Sequence, residues 1–298
     1  MSKIEKSQKM ADDLAQANRQ SQFGEVFMRM LRNKTGMIGL VVVVIIIILC
    51  VAAPLFSRWD PYAMSLFDRF KTPSAEHIMG TDDYGRDIWT RLLYGGRISL
   101  LIAVGATIIS TMIGMIMGSV SGYFGGKVDL IITRFMDILQ SIPSLLLAIA
   151  ISSALGSGAF NTMLAISTGG IAGGGRVMRS TVMSIRDNEF VEAARATGAS
   201  NFRIIMKEIL PNTIAPLIIN ASLGIGGNIM QISGLSFIGL GVQAPTPEWG
   251  SILAVGKTYI RDFFPLVLFP ALFLALTILA FNLLGDAFRD ALDPKLKD

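Results

Sequence analysis

The amino-acid sequence is poor in the residues that most often carry chemistry. Cys50 is the only cysteine and His77 the only histidine. An intramolecular disulfide, a cysteine-based metal cage and a His-rich metal site are therefore excluded, and we interpret both residues as structural. Charged residues make up only 16% of the chain, whereas ordinary soluble domains carry about 25%.

The sequence also lacks a site for ATP. The nearest match to a phosphate-binding loop is residues 121–128, where Ser121 replaces the first glycine and Val128 replaces the Ser/Thr that would hold magnesium. No nucleophile–base–acid set and no pair of ligands with metal spacing is evident. We therefore expect a non-catalytic chain that binds no cofactor or metal, so that any ATP and Mg²⁺ would be bound by other subunits.

Apolar residues dominate instead, at 52% of the chain with a mean hydropathy of +0.56. About 20 apolar residues at 1.5 Å each cross the roughly 30 Å hydrocarbon core of a bilayer. The sequence predicts an all-α integral membrane protein with six transmembrane helices. They lie at residues 37–56, 99–123, 130–154, 160–174, 214–237 and 265–284.

The distribution of positive charge predicts the orientation. With both termini inside, most Lys and Arg residues fall on cytoplasmic segments, as the positive-inside rule requires. The net charge of +4 fits contact with membrane lipids, and no dense mixture of basic and aromatic residues indicates nucleic-acid binding. The predicted organisation is a cytoplasmic tail (1–35), a first helix with an extracytoplasmic loop (36–97), a transmembrane domain (98–286) and a cytoplasmic tail (287–298).

Small residues recur at four-residue spacing on two predicted helices. Gly114, Gly118 and Gly122 share a face of the second helix, and Gly170 and Gly174 share one of the fourth. Close backbone approach at such faces attracts membrane helices to each other. We favour packing within one subunit over a dimer interface.

Ionisable residues are nearly absent from the predicted spans. Asp137 is the exception, with Arg134 one helical turn away. Carriers driven by an ion gradient usually bury such residues near the bilayer centre. We interpret Asp137 and Arg134 as a structural ion pair, which weakens the case for such a carrier.

The longest predicted cytoplasmic segment, residues 175–213, has the signals of two short helices. Asn188 is an expected N-cap, Gly198 an expected left-handed C-cap, and Ser200 an expected cap of a second helix that ends before Pro211. Alanines 193 and 194 would leave a shallow surface on which another protein can sit.

Glu192, Ala193, Ala194, Gly198, Leu210 and Pro211 resemble the EAA motif of binding-protein-dependent ABC importer permeases. The resemblance implies that residues 185–211, here named the EAA loop, form coupling helices that dock on ATPase subunits. Glu208 stands where the general family pattern has Ile, a variation similar to that of the peptide-importing branch. An ordinary amphipathic connector is the alternative.

Three further segments resemble the C-type permeases of dipeptide and oligopeptide importers. Residues 236–250 and 281–294 resemble the turn after the fifth helix and the C-terminus of that branch. The third segment resembles its outer-loop signature, and it is compatible with a structural cap over the helices or with contact to a binding protein. It contains Gly80, Thr81, Asp82, Gly85, Arg86 and Asp87.

A solute pathway needs dispersed polar groups without a tight site. Asn220, Gly224, Gly227 and Gln231 fall on one face of the fifth helix, with Asn228 beside it. We predict that Asn220, Asn228 and Gln231 line the pathway, and the alternative is that these amides join helices inside the bundle.

The resemblance implies the type I ABC importer arrangement in a bacterial or archaeal cytoplasmic membrane. The partners it implies are a second homologous permease, two ATPase subunits and an extracytoplasmic solute-binding protein. The expected substrates are dipeptides or oligopeptides, with nickel chelates or glutathione as alternatives within the class. A membrane scaffold for a signalling ATPase is the alternative of another class.

Overall fold

The computed structural model describes residues 33–292 of the chain. Predictions for residues 1–32 and 293–298, including most of both predicted tails, lie outside this range. The amino-terminal half contains α1 (Lys34–Val51), α2 (Ala53–Phe56), a 3-10 turn (Leu66–Asp68), α3 (Ile88–Phe124), α4 (Gly126–Ser141), α5 (Ser144–Leu155) and α6 (Ala159–Ile185). The other half contains α7 (Glu189–Ala196), α8 (Asn201–Ile204), a π-helical turn (Ile205–Ile209), α9 (Leu210–Phe237), α10 (Trp249–Thr258) and α11 (Pro265–Leu292).

The helices confirm a membrane protein that crosses the bilayer several times. Within residues 33–292, four helical stretches are long and apolar enough to span a membrane: α1, α3, the continuous run from α8 through α9, and α11. The pair α4 and α5 gives a fifth if the two form one span. The remaining predicted span falls in α6, so the count of six stays a prediction.

The third predicted span, 130–154, is wrong as a continuous helix. The chain bends by 88° between α4 and α5. Pro143 disfavours the helical conformation of the residue before it, and Ile142 is extended at φ −103° and ψ 128°. The proline therefore ends α4 and redirects the chain.

The fourth predicted span is followed by further helix, and the prediction that a loop starts at residue 175 is wrong. Helix α6 continues through Gly175 to Ile185, so Arg176 and Arg179 lie on a helix and not in a loop. Arg179 forms two 2.6 Å hydrogen bonds with the Asp129 carboxylate of α4. This ion pair and the packing of α6 against α3 hold the extra turns in helical form.

Helices α3 and α6 pack through the predicted glycine face. A Cβ on Gly114 would lie 2.9 Å from the Ile171 carbonyl oxygen, and one on Gly122 would lie 2.9 Å from the Arg179 carbonyl oxygen. Only a hydrogen at these positions permits such close backbone approach. This confirms that the face packs within the subunit.

Two buried apolar clusters matter for function. The larger one joins α1, α3, α6, α9, α10 and α11, and Trp249 is fully buried within it. The smaller one lies beneath the EAA loop and consists of Tyr123, Met178, Val182, Val191, Ile204 and Ile209. On α1, by contrast, Ile38, Ile45 and Ile48 are exposed, as expected of a helix that faces lipid.

Candidate functional site

The EAA loop begins with α7, which ends at a glycine in left-handed conformation. Asn188 is the N-cap in extended conformation, but its side chain makes no capping hydrogen bond. At the other end, the Gly198 N–H donates to the Arg195 carbonyl (2.9 Å) and the Ala199 N–H to the Ala194 carbonyl (3.1 Å). Gly198 has φ +78°. This double hydrogen bond is a Schellman motif, so the predicted glycine C-cap is confirmed.

The chain then turns into α8 and continues without a break into α9. The Ser200 hydroxyl accepts a hydrogen bond from the Arg203 N–H at 3.4 Å, which confirms the predicted cap. The prediction that the second helix ends before Pro211 is wrong. A π-helical turn connects α8 to α9, and Pro211 lies in α9 directly after that turn.

An open groove of about 480 Å³ lies between the two short helices. Ala193, Ala194 and Gly198 line it, together with the previously unassigned Phe190, Thr197, Ala199, Arg203, Ile204 and Glu208. Phe190 is 38% exposed, and Phe202, at the start of α8, is 74% exposed. Aromatic residues are enriched at surfaces that bind another protein.

The other EAA-motif residues lie apart from the groove. Glu192 is exposed on α7, where its charge suits the positive first turn of the helix. Leu210 packs against the buried cluster beneath the loop. In the structure, Ala193, Ala194 and Gly198 line the groove, Glu192 is exposed on α7, and Leu210 supports the loop from below.

Polar contacts fasten the base of the EAA loop to α3. The Arg186 guanidinium donates to the Gly122 carbonyl at 3.1 Å. The Tyr123 hydroxyl donates to the Asn201 side-chain oxygen at 2.9 Å, and the Arg195 guanidinium lies 5.4 Å from the Tyr123 ring centre. Sequence reasoning missed Tyr123, because its contacts are with residues far along the chain.

The predicted pathway residues of α9 do not share one environment. Asn220 and Asn228 line a cavity of about 60 Å³ between α3, α6 and α9, and the Asn228 amide donates to the Thr107 hydroxyl at 2.8 Å. Gln231 is half-buried, and its side-chain oxygen has no hydrogen-bond partner within residues 33–292. Gly227 is exposed.

The main partner of Asp137 differs from the predicted one. Its carboxylate accepts a 2.6 Å hydrogen bond from Arg176 of α6, whereas Arg134 lies 3.5 Å away and is 73% exposed. The ion-pair interpretation is therefore confirmed, with Arg176 as the main partner. Arg176 was missed because it was assigned to a loop.

The 57–87 loop is organised around the buried carboxylate of Asp82. That carboxylate accepts hydrogen bonds from the backbone N–H groups of Tyr84 and Arg86 and from Arg86 Nε, and Arg91 Nε lies 3.4 Å away. Next to it, burial and the Asp82 charge raise the pKa of Asp83. Gly80 and Gly85 both have positive φ, and each forms a turn of the loop.

The rest of the signature attaches the loop to α3. Asp87 caps α3 by accepting from the Thr90 N–H at 2.7 Å, and its other oxygen lies 3.0 Å from His77 Nδ1. Thr81 pairs with Asp87 in an antiparallel bridge, and its hydroxyl donates to the Asp68 carbonyl. All six signature residues are thus placed in one folded unit at the start of α3.

The 236–250 turn is held to α3 by a buried carboxylate. Glu248 is fully buried, accepts a 2.8 Å hydrogen bond from Ser99, and caps α10 through the Ser251 N–H. Within residues 33–292, no three His, Cys, Asp or Glu side chains converge where a metal could bind. The polar clusters described are structural caps and ion pairs.

Comparison with known families gives two matches. A family described as the binding-protein-dependent transport system inner membrane component matches residues 110–298. A second, described as the N-terminal TM domain of oligopeptide transport permease C, matches residues 21–73.

Curated relatives match along most of their length. The dipeptide transport system permease protein DppC of Alkalihalophilus pseudofirmus is 42% identical over 93% of this chain and 91% of its own. The oligopeptide transport system permease protein OppC of Bacillus subtilis is 38% identical over 92% and 90%. A chain of the MetNI methionine ABC transporter, in an inward-facing conformation, matches with TM-score 0.55 and 17% identity over 69% of this chain and 98% of its own. That last match concerns the fold alone.

Proposed function

This chain belongs to the family of binding-protein-dependent transport system inner membrane components, and we propose that it forms half of the pathway by which such a system imports dipeptides or oligopeptides. The peptide substrate is inferred from the relatives named for dipeptide and oligopeptide transport. The chain itself is a membrane permease subunit. A second homologous permease completes the pathway, and an extracytoplasmic binding protein delivers the peptide.

The observation that carries the proposal is the groove of the EAA loop. Phe190 lines it, Phe202 exposes a second aromatic ring on α8, and a Schellman motif at Gly198 holds α7 and α8 on its two sides. Exposed aromatic rings are costly in water, so a protein partner is the expected occupant. We assign that partner as an ATPase subunit, since the loop carries the EAA motif.

Charged residues in and near the groove support the same assignment. Arg203 and Glu208 line the groove, and Glu192 and Arg195 are exposed on α7. Both signs of charge are present, so complementary charges on the ATPase can set the orientation of docking. ATP hydrolysis takes place in that partner, and its closure moves α7 and α8.

The pathway is proposed along α9. Asn220 and Asn228 open on a cavity shared with α3 and α6, and Gln231 lies one helical turn beyond Asn228. Side-chain amides both donate and accept hydrogen bonds, so they can exchange partners with any peptide backbone and impose little sequence preference. The small cavity volume suits a closed pathway that widens when the helices move.

The 57–87 loop is proposed to be extracytoplasmic, with both termini in the cytoplasm. Its buried ion pairs suit a rigid cap over the start of α3, and its exposed residues are available to the binding protein. This arrangement places the EAA loop on the ATP-rich side of the membrane.

The test combines recovery of the complex with uptake. The full-length chain, tagged at one terminus, is purified in mild detergent from its source cell, and the co-purified proteins and ATPase activity are measured. Uptake of a labelled dipeptide, a labelled tripeptide, nickel–histidine and glutathione is compared in cells with and without the gene. Peptide uptake that depends on the gene, with an ATPase in the complex, is expected. An ATPase in the complex without dependent uptake of any of these solutes would support the scaffold alternative.

A further inference from the structure

We propose that Tyr123 is the positioning residue that links the EAA loop to α3, so that movement of the loop reaches the pathway through this side chain. The inference rests on the proposed docking of an ATPase on that loop. Tyr123 is the next-to-last residue of α3 and is 8% exposed.

Tyr123 contacts the chain on both sides of the turn at Gly198. On the α7 side, the Arg195 guanidinium lies 5.4 Å from the ring centre, within the range of a cation–π interaction. On the α8 side, the hydroxyl donates to the Asn201 side-chain oxygen at 2.9 Å. Gly198 lies between these two partners in the chain, so any rotation of α7 relative to α8 about Gly198 changes the surroundings of Tyr123.

The ring is also fixed in place. It belongs to the buried cluster that contains Val191 of α7, Ile204 of α8 and Met178 of α6. A packed aromatic side chain has little freedom to absorb a displacement by changing rotamer. Movement of α7 and α8 is therefore passed to the backbone of α3.

Helix α3 can carry that movement to the pathway and beyond. Its 37 residues form one continuous helix, about 55 Å long at 1.5 Å per residue. Thr107 of α3 accepts the hydrogen bond of the pathway residue Asn228, and Ser99 donates to the buried Glu248 at 2.8 Å. The same helix thus contacts the EAA loop, the pathway and the 236–250 turn.

A second route makes the Tyr123 link necessary. Helix α8 continues through the π-helical turn into α9, so α9 moves with α8 by covalent connection. Thr107 and Asn228 line the same cavity and are hydrogen-bonded to each other, so α3 must move together with α9 if that cavity is to open in a defined way. The hydroxyl of Tyr123 ties α3 to the first residue of α8, where the covalent route begins.

The test is the number of peptides imported per ATP hydrolysed, measured on the reconstituted complex with its binding protein. Tyr123→Phe keeps the ring and removes only the hydroxyl. Ser119→Ala is the matched control, because its hydroxyl lies one turn earlier and bonds only to the Met115 carbonyl of the same helix. We expect Tyr123→Phe to lower the ratio about fivefold, the effect of one hydrogen bond of typical net strength. Ser119→Ala should leave it unchanged.

A double-mutant cycle identifies the partner. If the hydroxyl acts through Asn201, Tyr123→Phe with Asn201→Ala is no worse than the more severe single variant. A normal ratio in Tyr123→Phe, an equal drop in Ser119→Ala, or a drop explained by loss of assembled complex would overturn the inference. Gly198→Val tests the docking assignment separately. If that variant loses the ATPase while Tyr123→Phe transports normally, only the Tyr123 link is wrong.

Discussion

At Gly198, one dihedral angle explains why glycine is needed. Its φ is +78°, and a Cβ built there would meet no atom within 4 Å. Space is therefore available for a side chain, and any effect of substitution comes from the backbone. β-branched residues resist positive φ, whereas Asn is enriched there.

Gly198→Val is expected to impair both ATPase co-purification and peptide uptake while the chain still inserts. The left-handed conformation costs a non-glycine residue about 1–3 kcal/mol, and relief of this strain would misdirect α8. Gly198→Asn is the matched control and should retain most of both activities. Normal co-purification and uptake in both variants would show that the turn at Gly198 is not part of the docking site.

Asp82 and Asp83 are adjacent acids with different expected roles. Asp82→Asn leaves Arg86 and Arg91 buried without their carboxylate, and breaking a buried pair in this way typically costs about 3–5 kcal/mol. Asp83 lies 3.5 Å from the nearest guanidinium nitrogen of Arg86, and burial raises its pKa, so its charge contributes less to the stability of the folded loop than that of Asp82. Asp83→Asn should therefore be tolerated. The stability of the 57–87 loop in each variant is measured by its protease sensitivity in intact membranes. Equal sensitivity of the two variants would contradict the different roles given to Asp82 and Asp83.

Among the elements, the pair α3 and α6 depends on its glycine face. A Cβ on Gly118 would lie 2.7 Å from Met178 Cβ and 2.9 Å from the Arg179 nitrogen. Neither neighbour is the free end of a side chain, so the helices themselves must separate to admit a larger residue.

Gly118→Val is expected to lower the thermal stability of the detergent-solubilised complex. Overpacking costs about 1–3 kcal/mol, which corresponds to a shift of several degrees in Tm, on the order of 2–4 °C per kcal/mol in large domains. Gly173→Ala on α6 is the control, because a Cβ there meets nothing within 4 Å. A melting temperature unchanged in Gly118→Val would contradict the observed packing.

Asn228 and Gln231 of α9 are both proposed to line the pathway, but only Asn228 also joins α9 to α3. Gln231→Leu removes a side-chain oxygen that has no partner among the described residues, so stability should hold while uptake falls. Asn228→Leu removes the hydrogen bond to Thr107 and should lower the stability of the folded chain by roughly 0.6 kcal/mol, the average for interhelical hydrogen bonds in membranes. For each variant, peptide uptake is divided by the amount of complex recovered, so that a loss of transport is separated from a loss of assembly.

Thiol labelling gives an independent measurement. Gln231→Cys in a Cys50→Ser background is treated with a water-soluble thiol reagent in each nucleotide state. Labelling in at least one state is expected. Absence of labelling in every state, together with normal uptake in Gln231→Leu, would place Gln231 in helix packing and remove it from the pathway.

At the scale of the whole molecule, the chain contains helices, caps and ion pairs but no phosphate-binding loop. We therefore expect the purified chain alone to hydrolyse no ATP. The measurement is ATP turnover by the chain after removal of co-purified subunits, with the assembled complex as positive control. Turnover that follows the chain through a second purification step would make the subunit assignment wrong.

Local sequence signals determined much of this protein. Long apolar runs predict membrane helices because each crossing needs about 20 residues, and the Gly198 C-cap and Ser200 cap follow from residues within one turn of each other. The family resemblance likewise depends on motifs that are contiguous in the chain. These features involve neighbours in sequence, so no tertiary information is needed to find them.

Only the tertiary structure decided which distant residues meet. Asp137 pairs with Arg176 because α4 lies against α6, and that pairing could not be found while Arg176 was assigned to a loop. The chain bends by 88° before Pro143 but stays helical through Pro211, so a proline alone does not decide where a helix ends. The role proposed for Tyr123 likewise depends on the tertiary structure. Asn201 lies far along the chain, and only the packing of α3 against the EAA loop brings the two side chains within hydrogen-bonding distance.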